Sequence, residues 1–340
     1  MEPPKRKELT VEDYINGVLA GDRALLARAI TLIESHSERH RPIATEVLNG
    51  IIPQTGKSIR IGITGVPGAG KSTLIEALGT MLCDKGHRVA VLAVDPSSQL
   101  TKGSILGDKT RMEELSRNKN AYVRPSPSSG TLGGVTRRSR ETLLLCEAAG
   151  FDVIIVETVG VGQSEAVVRS MVDCFLVLML TGAGDELQGI KKGVMEMADA
   201  IFINKADGPN RQVALKTKAE YNRLLHFLPQ ATEGWETKAY TVSALTGEGI
   251  SEMWDVIYSF FQFSKENGIF EERREKQALE WFYAVIEDEL KLWFFQQDDI
   301  KQQLPLLMEQ MRKGEVVPTV AASQLLTTFT NGLEKRKEEG

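Results

Sequence analysis

Apolar and polar residues follow three different patterns along the chain. Up to about residue 55, apolar side chains recur at intervals of three and four residues, which predicts amphipathic helices. The clearest run is Leu25, Leu26, Ala29, Ile30 and Ile33. Thr10, with Asp13 three residues later, and Asp22 each precede such a pattern and are expected to cap a helix.

From residue 58 onward, short apolar runs alternate with helical patterns. Six runs are predicted to be strands, at residues 59–64, 89–94, 153–156, 175–180, 201–203 and 239–242. Both faces of these runs are apolar, which is typical of a parallel sheet that helices cover on both sides. The sequence therefore predicts an α/β fold with a mostly parallel sheet.

After about residue 263 the pattern is helical again. Apolar side chains spaced three or four residues apart form one stripe: Leu279, Phe282, Ile286, Leu290 and Trp293. Such an aromatic-rich stripe is expected to be covered, either by the chain's own central domain or by a second copy in a helical hairpin that dimerises. The patterns divide the chain into an N-terminal helical extension (1–55), a central domain (56–263) and a C-terminal helical arm (264–340).

Composition and charge exclude several classes of protein. The net charge of the 340 residues is −5, so the basic footprint of a nucleic-acid-binding protein is missing. No apolar run approaches the ~18 residues that a membrane span needs, and no apolar secretory segment follows the first residues, so a cytoplasmic protein is expected. Cys83, Cys146 and Cys174 lie far apart in apolar surroundings and are predicted to be buried free thiols.

The segment GVPGAGKS, residues 65–72, matches the phosphate-binding pattern GxxxxGK[ST] between a predicted strand and a predicted helix. Its glycines let backbone N–H groups turn toward phosphate oxygens, and the helix adds its positive N-terminal end. Lys71 is expected to reach the β- and γ-phosphates, and the Ser72 hydroxyl to bind Mg²⁺. The predicted phosphate-binding residues are Gly65, Val66, Pro67, Gly68, Ala69, Gly70, Lys71, Ser72 and Thr73.

The segment NKAD, residues 204–207, follows what the pattern predicts as the fifth strand. The Asp207 carboxylate can accept hydrogen bonds from N1–H and the exocyclic amine of guanine, a donor pair that adenine lacks. Lys205 is expected to cover the base plane and Asn204 to tie this loop to the phosphate loop. The predicted sixth strand is followed by Ser243, Ala244 and Leu245. Backbone N–H groups there can reach guanine O6, so GTP is the expected nucleotide.

Three acids are placed to act on the phosphates. Asp95 and Glu157 end predicted strands, and Asp108 lies in the segment after the second strand. Because carboxyl ends of parallel strands meet at the ligand-binding edge, Asp95 and Glu157 are expected to hold Mg²⁺ through water, and Asp108 or Glu157 to position the attacking water. Lys71, Asp108 and Glu157 are thus the predicted catalytic residues. A capping or turn role is the alternative for each acid.

Further residues are predicted to switch with the nucleotide. Gly160, in ETVG, can sense the γ-phosphate through its N–H group, and Arg111 is a candidate arginine finger. Three further arginines, Arg137, Arg138 and Arg140, are interpreted as a solvated helix face. Because no arginine is marked clearly as a finger, slow intrinsic hydrolysis that a partner or loop closure accelerates is expected.

The segment TGAGDELQGIKKG, residues 181–193, lies between two apolar runs at the end of a predicted strand. Its glycines allow two conformations, and Asp185, Gln188 and Lys191 can bond to other switch residues in one and to a partner in the other. We interpret it as a mobile element that reports the nucleotide to a partner; an ordinary surface loop is the alternative.

Seven motifs in this order resemble the MeaB/ArgK family of GTPases over about residues 10–330: GVPGAGKST, AVDPSS, GDKTRM, GTLGG, IIVETVGVGQSE, TGAGDELQGIKKG and NKAD. The resemblance implies the signal-recognition/MinD branch of the P-loop NTPase fold and a homodimer formed through the C-terminal helices. It also implies a chaperone that gates adenosylcobalamin loading and protects an acyl-CoA mutase, methylmalonyl-CoA mutase or a relative. Residues 181–193 match the family's third switch, which responds to the mutase.

Other functions would leave different signals. A GTPase that delivers metal to another metalloenzyme, the alternative function, would carry clustered Cys and His, and the three cysteines and four histidines here form no such spacing. A protein-targeting GTPase would carry an RNA- or signal-binding module, but the tail is neither basic nor Met-rich. A kinase would need a second substrate site, which no motif supplies.

Overall fold

The computed structural model describes residues 9–35, 37–94, 112–124, 132–158, 164–181 and 192–338. The chain divides into two compact units, Met1–Gln277 and Ala278–Gly340. Over the described residues, no helix is both long enough and apolar enough to span a lipid bilayer.

The first unit is built on a parallel sheet that has seven strands in the described part of the chain. The strands are β1 (Ile59–Gly65), β2 (Val89–Val94), β3 (Ala121–Arg124), β4 (Val153–Thr158), β5 (Cys174–Met179), β6 (Ala200–Ile203) and β7 (Ala239–Thr241). Their spatial order is β3-β2-β4-β1-β5-β6-β7, and every neighbouring pair is parallel. The predicted α/β fold is confirmed.

Helices connect and cover the strands. Those of the first unit are α1 (Val11–Leu19), α2 (Arg23–Glu34), α3 (His40–Ile51), α4 (Lys71–Asp84), α5 (Glu113–Arg117), α6 (Leu132–Ala148), α7 (Ser164–Arg169), α8 (Lys192–Glu196), α9 (Arg211–Leu225) and α10 (Ile250–Glu266). Helix α11 (Ile269–Gln296) begins in this unit, and α12 (Asp298–Arg312) and α13 (Pro318–Glu338) follow it. Thr10 and Asp22 cap α1 and α2 as predicted, because each side-chain oxygen accepts a backbone N–H of the first turn.

One strand was missed by the sequence pattern. Strand β3 is only four residues long and half-buried in its second part, and among the described strands it pairs with β2 alone. It therefore lacks the long apolar run, buried on both faces, that is typical of a central strand. As a correction, Asn204–Asp207 follows the sixth strand and Ser243–Leu245 the seventh, rather than the fifth and sixth.

The sheet has an apolar core on each face. On one face, strand residues such as Ile154 and Phe175 pack with α2, α6 and α9. On the other, residues such as Ile63 and Ile155 pack with α4 and α10. Gly62 permits the close packing of the first face, because a Cβ there would lie 2.8 Å from the Phe175 ring. The sheet is thus covered on both sides, as the two-sided apolar strands predicted.

A buried charged cluster closes the amino-terminal edge of the sheet. The Arg60 guanidinium donates two hydrogen bonds of 2.9 Å to Glu147, which also accepts from the Ser58 hydroxyl and, at 2.8 Å, from the Gly56 backbone N–H. Burial raises the pKa of Glu147, but these donors and the Arg60 charge outweigh it, so the pKa lies below its ordinary value. Glu147 is therefore a buried carboxylate whose charge is compensated.

The second unit has a small core of its own, formed by Ile300, Leu307, Ala321 and Leu325. The predicted stripe of α11 is exposed in this chain, and Leu279, Phe282 and Leu290 are each more than half exposed. Large apolar side chains on such a surface are typical of an interaction face.

The three cysteines are free and buried, as predicted. Burial raises the pKa of each thiol, of Cys83, Cys146 and Cys174 alike. These thiols are therefore structural and poorly reactive in the folded protein.

Candidate functional site

The phosphate loop joins β1 to α4 at the carboxyl edge of the sheet. Gly68 and Gly70 have φ angles of 80° and 84°, in the left-handed region that favours glycine. A Cβ on Gly70 would also lie 2.7 Å from the Asn204 side-chain nitrogen. Glycine is therefore required at position 70 for its conformation and for the close approach of a neighbouring loop.

Lys71 and Ser72 form the first turn of α4 and face the site. The Lys71 ammonium donates a hydrogen bond of 2.8 Å to the Gly65 carbonyl, across the mouth of the loop. The Ser72 hydroxyl donates to Glu157 Oε1 over 3.2 Å. Glu157 is a buried residue near the end of β4. The fold thus brings together a hydroxyl and a carboxylate that lie 85 residues apart in sequence.

Asn204 joins three loops. Its side-chain nitrogen donates to the Ala69 carbonyl over 2.7 Å, and its side-chain oxygen accepts from the Ala244 backbone N–H over 3.1 Å. The residue is 1% exposed, so both bonds are shielded from water. The contact with the phosphate loop is the one that the sequence predicted for Asn204.

Asp207 ends the loop that Asn204 begins, and its carboxylate is held by Ser243. The Ser243 hydroxyl donates to Asp207 Oδ2 over 2.7 Å and accepts from the Thr246 backbone N–H over 3.2 Å. Lys205 has a φ of 60°, which is uncommon for a residue with a side chain. Leu245 is exposed beside them. These residues form one surface at the carboxyl ends of β6 and β7.

Seven of the predicted site residues lie outside the described residues: Asp95, Asp108, Arg111, Gly160, Asp185, Gln188 and Lys191. In sequence, Asp95 directly follows β2, and Gly160 lies two residues after β4. Their roles stay predictions.

The interpretation of Arg137, Arg138 and Arg140 as a solvated helix face is wrong for Arg140. This residue is 8% exposed, and its guanidinium donates to the Gln277 carbonyl over 2.7 Å and to the Ser170 hydroxyl over 2.7 Å. Burial also lowers the pKa of Arg138. The polar sequence of α6 concealed that this helix packs against β2, α2 and α3 and that its Arg140 side chain reaches the start of α11. Arg140 therefore supports the structure and is no candidate for an arginine finger.

Two buried threonines beside the site were not predicted from the sequence. The Oγ1 atoms of Thr64 and Thr158 are 2.8 Å apart, and both residues are buried. Thr64 directly precedes the phosphate loop, and Thr158 lies inside the ETVG motif between Glu157 and Gly160. Those positions were the available signal.

These features define a class of protein. A strand, a glycine loop and a helix with Lys71 and Ser72 form a phosphate site, and the Asn204–Asp207 and Ser243–Leu245 loops meet beside it, which is the arrangement of a P-loop GTPase. The model of the family described as methylmalonyl-CoA mutase-associated GTPase MeaB matches residues 26–299, and the chain belongs to this family. The predicted family and GTPase class are confirmed.

Individual relatives agree with this assignment. The GTPase ArgK of Escherichia coli is 46% identical over 318 residues, which cover 94% of this chain and 96% of that protein. The mouse protein named methylmalonic aciduria type A homolog, mitochondrial, is 45% identical over 334 residues, covering 95% of this chain and 80% of that one. A crystal structure of a LAO/AO transport system kinase, 39% identical, superimposes with a TM-score of 0.74 and covers 96% of this chain and 99% of its own.

Proposed function

We propose that the chain binds GTP and GDP with Mg²⁺ at this edge of the sheet and hydrolyses GTP slowly until a partner accelerates the reaction. We further propose that the partner is an adenosylcobalamin-dependent acyl-CoA mutase, methylmalonyl-CoA mutase or a relative. In this role the chain gates cofactor loading and protects the mutase from inactivation. The family description names methylmalonyl-CoA mutase, and the name of the mouse relative refers to methylmalonic aciduria. Both names support a mutase as partner.

The phosphates would be held mainly by the backbone. Backbone N–H groups of residues 65–73 other than Pro67, together with the N-terminal end of α4, supply partial positive charge. Lys71 adds a full positive charge. In the structure the Lys71 ammonium already lies across the loop, on the Gly65 carbonyl, from which it can turn to the β- and γ-phosphates. The single observation that carries the nucleotide assignment is the Asn204 bridge between this loop and the base-binding loops.

The donors at the site fit Mg²⁺. The Ser72 hydroxyl and the Glu157 carboxylate are hard oxygen ligands that already face each other. Within the described residues, no group of three or more His, Cys, Asp or Glu forms a metal cluster, and Mg²⁺ bound by few protein ligands takes its others from phosphates and water. We propose that Ser72 binds the ion directly and that Glu157 and Asp95 hold it through water. The ion supplies charge neutralisation on the phosphates when bound.

Guanine would be read at the second loop pair. The Asp207 carboxylate accepts from the base, while Ser243 keeps it oriented through Oδ2. The Ala244 backbone N–H is already bonded to Asn204, which positions that loop for the guanine carbonyl. We propose that Lys205 covers the plane of the base and that backbone N–H groups of Ser243, Ala244 and Leu245 face guanine O6.

The remaining predicted residues would act on the reaction and on the partner. We propose that Asp108 or Glu157 positions the attacking water and that Gly160 and Arg111 respond to the γ-phosphate. Asp185, Gln188 and Lys191, in the segment after β5, are proposed to couple the nucleotide to the mutase. Replacing Lys191 or Asp185 by Ala should leave GTP binding intact and weaken the mutase's acceleration of hydrolysis. If the mutase accelerates GTP hydrolysis equally in these variants and in the wild type, the segment is an ordinary surface loop.

The exposed stripe of α11 supports a homodimer. We propose that residues 264–340 form the dimerising arm, beside a central domain (56–263) and an N-terminal extension (1–55). Phe282 and Ile286 lie on the stripe, one helical turn apart. Replacing both by Ser should convert a dimer to a monomer in sedimentation, whereas replacing exposed Leu306 on α12 should not.

A pull-down with GTP, GDP and a non-hydrolysable analogue tests the proposed partner. Recovery of a cobalamin-dependent mutase in a nucleotide-dependent manner is expected. Recovery of another metalloenzyme would favour the metallochaperone alternative, and recovery of no mutase in any state would remove the client assignment. A parallel assay with γ-labelled GTP should release free phosphate; transfer of label to an acceptor would identify a kinase instead.

A further inference from the structure

Pairing between the two central strands stops short of the sheet edge. Backbone pairing of β1 with β4 ends at Ile63 and Glu157. Beyond that point, β1 continues along β5 to Gly65 and Leu178, and β4 continues along β2 to Thr158 and Val94. The two strands that carry Gly65 and Glu157 are therefore attached to different neighbours at the edge where the nucleotide site lies.

A hydroxyl pair bridges these strands where their backbone pairing ends. The Oγ1 atoms of Thr64 and Thr158 are 2.8 Å apart, and the two residues are 1% and 0% exposed. Either hydroxyl can donate to the other. This bond is the next connection between β1 and β4 after the last backbone pair, and it links side chains 94 residues apart in sequence.

The bond lies on the opposite face of the sheet from the Ser72–Glu157 contact. Side chains alternate along a strand, so Thr158 shares its face with Val156 and Ile154, and Glu157 shares the α4 face with Ile155. The hydroxyl pair therefore cannot bind the metal itself. It can act only through the backbone, by fixing where β4 ends relative to β1.

The choice of residue at these positions indicates a positioning role. The neighbouring strand residues on this face, such as Val156 and Val177, are apolar and buried. Valine has the shape of threonine and would fill the same space without burying a hydroxyl. Two hydroxyls that satisfy each other are a directional link, which apolar packing does not supply.

We propose that Thr64 and Thr158 are positioning residues for GTP hydrolysis, which hold the ends of β1 and β4 at the separation that sets Ser72 against Glu157. The proposal rests on the magnesium role of Ser72 and Glu157 put forward above. Glu157 is adjacent to Thr158 in the chain, and the phosphate loop begins directly after Thr64. A small displacement of either strand end is therefore passed to the metal-binding groups.

The test compares Thr64→Val, Thr158→Val and the double variant with Thr158→Ser, which keeps the hydroxyl. Single-turnover GTP hydrolysis is measured against Mg²⁺ concentration, and GDP affinity is measured in EDTA. Both single variants should raise the Mg²⁺ midpoint and slow the reaction about five- to tenfold, while metal-free GDP affinity stays unchanged. Thr158→Ser should retain most of the activity, and the double variant should be no worse than the worse single one.

Buried Thr217 supplies the matched control, because Thr217→Val removes a buried hydroxyl from α9, a helix that packs against β6 and β7. The control should lower the melting temperature and keep the wild-type Mg²⁺ midpoint. If Thr64→Val and Thr158→Val do the same, the positioning role is overturned. Glu157→Gln separates the two proposals. If the Mg²⁺ midpoint shifts in Glu157→Gln but not in Thr158→Val, the positioning role alone is overturned. If the midpoint shifts in neither Glu157→Gln nor Ser72→Ala, the magnesium role is overturned as well.

Discussion

The Ser243 hydroxyl donates a hydrogen bond of 2.7 Å to Asp207 Oδ2, which fixes the carboxylate proposed to read the base. In Asp207→Asn the amide keeps an acceptor but gains an N–H₂ donor, which matches xanthine and mismatches the amine of guanine. The affinity of the variant for GTP should fall at least about 100-fold, and the variant should bind XTP more tightly than GTP. Competition against a fluorescent nucleotide measures both constants. A variant that still prefers GTP would show that another group reads the base.

Asn204 is predicted to be more important for nucleotide affinity than its lack of charge suggests. Asn204→Ala removes both of its bonds and leaves the Ala69 carbonyl and the Ala244 N–H without their partner. We expect a loss of about 1–3 kcal/mol in unfolding free energy and weaker GTP and GDP binding. Asn204→Asp keeps the acceptor for Ala244 but sets a buried carboxylate oxygen against the Ala69 carbonyl, so it should bind no better than Asn204→Ala. Denaturant titration and nucleotide binding measured on the same samples separate the two effects.

Gly70 should tolerate substitution less well than Gly68. Both have positive φ angles, but only a Cβ on Gly70 meets a neighbour, the Asn204 nitrogen at 2.7 Å, whereas one on Gly68 meets nothing within 4 Å. Gly68→Ala therefore adds backbone strain alone, and Gly70→Ala adds strain and a clash. Gly70→Ala should abolish tight GTP binding, and Gly68→Ala should weaken it less. Equal effects of the two variants on calorimetric affinity would contradict the clash.

Glu147 should make stability depend on acid pH. Its pKa in the folded protein lies below the ordinary value of 4.5, so its stabilising effect is fully present above that value and is lost as pH falls through the lowered pKa. Glu147→Gln should cost about 3 kcal/mol near neutral pH, because Arg60 keeps its charge without a partner. The gap between variant and wild type in urea unfolding should narrow in acid. If the difference in unfolding free energy between wild type and variant widens in acid, the pKa of Glu147 is raised in the folded protein and not lowered.

The thiols are expected to react only when the protein unfolds. Burial raises the pKa of Cys83, Cys146 and Cys174, so little thiolate forms near neutral pH. Burial also keeps reagents in solution away from the three sulfur atoms. Ellman's reagent should label the native protein slowly and all three cysteines in guanidinium. GDP with Mg²⁺ should slow native labelling further if it stabilises the fold. Fast labelling of one thiol in the native state would show local opening at that position.

The sequence by itself determined the features that depend on neighbouring residues. The caps at Thr10 and Asp22 act within three residues, and the apolar runs specify six of the strands without reference to the rest of the chain. The phosphate and base loops were recognisable because their motifs are contiguous, and the family followed from them. Strand β3 was missed because a short edge strand buries too little to carry the pattern.

Only the tertiary structure decided which distant groups meet. Strand β1 lies between β4 and β5, neither of which is its neighbour in sequence. This strand order brings the Thr64 hydroxyl into hydrogen-bond distance of Thr158, and the Ser72 hydroxyl into hydrogen-bond distance of Glu157. The same holds for Arg140, whose polar surroundings in sequence concealed its burial against Gln277. Local patterns record which face of an element is apolar but not which element covers it. That choice depends on how all the strands and helices pack together, since each buried polar group must find its partner in the assembled fold.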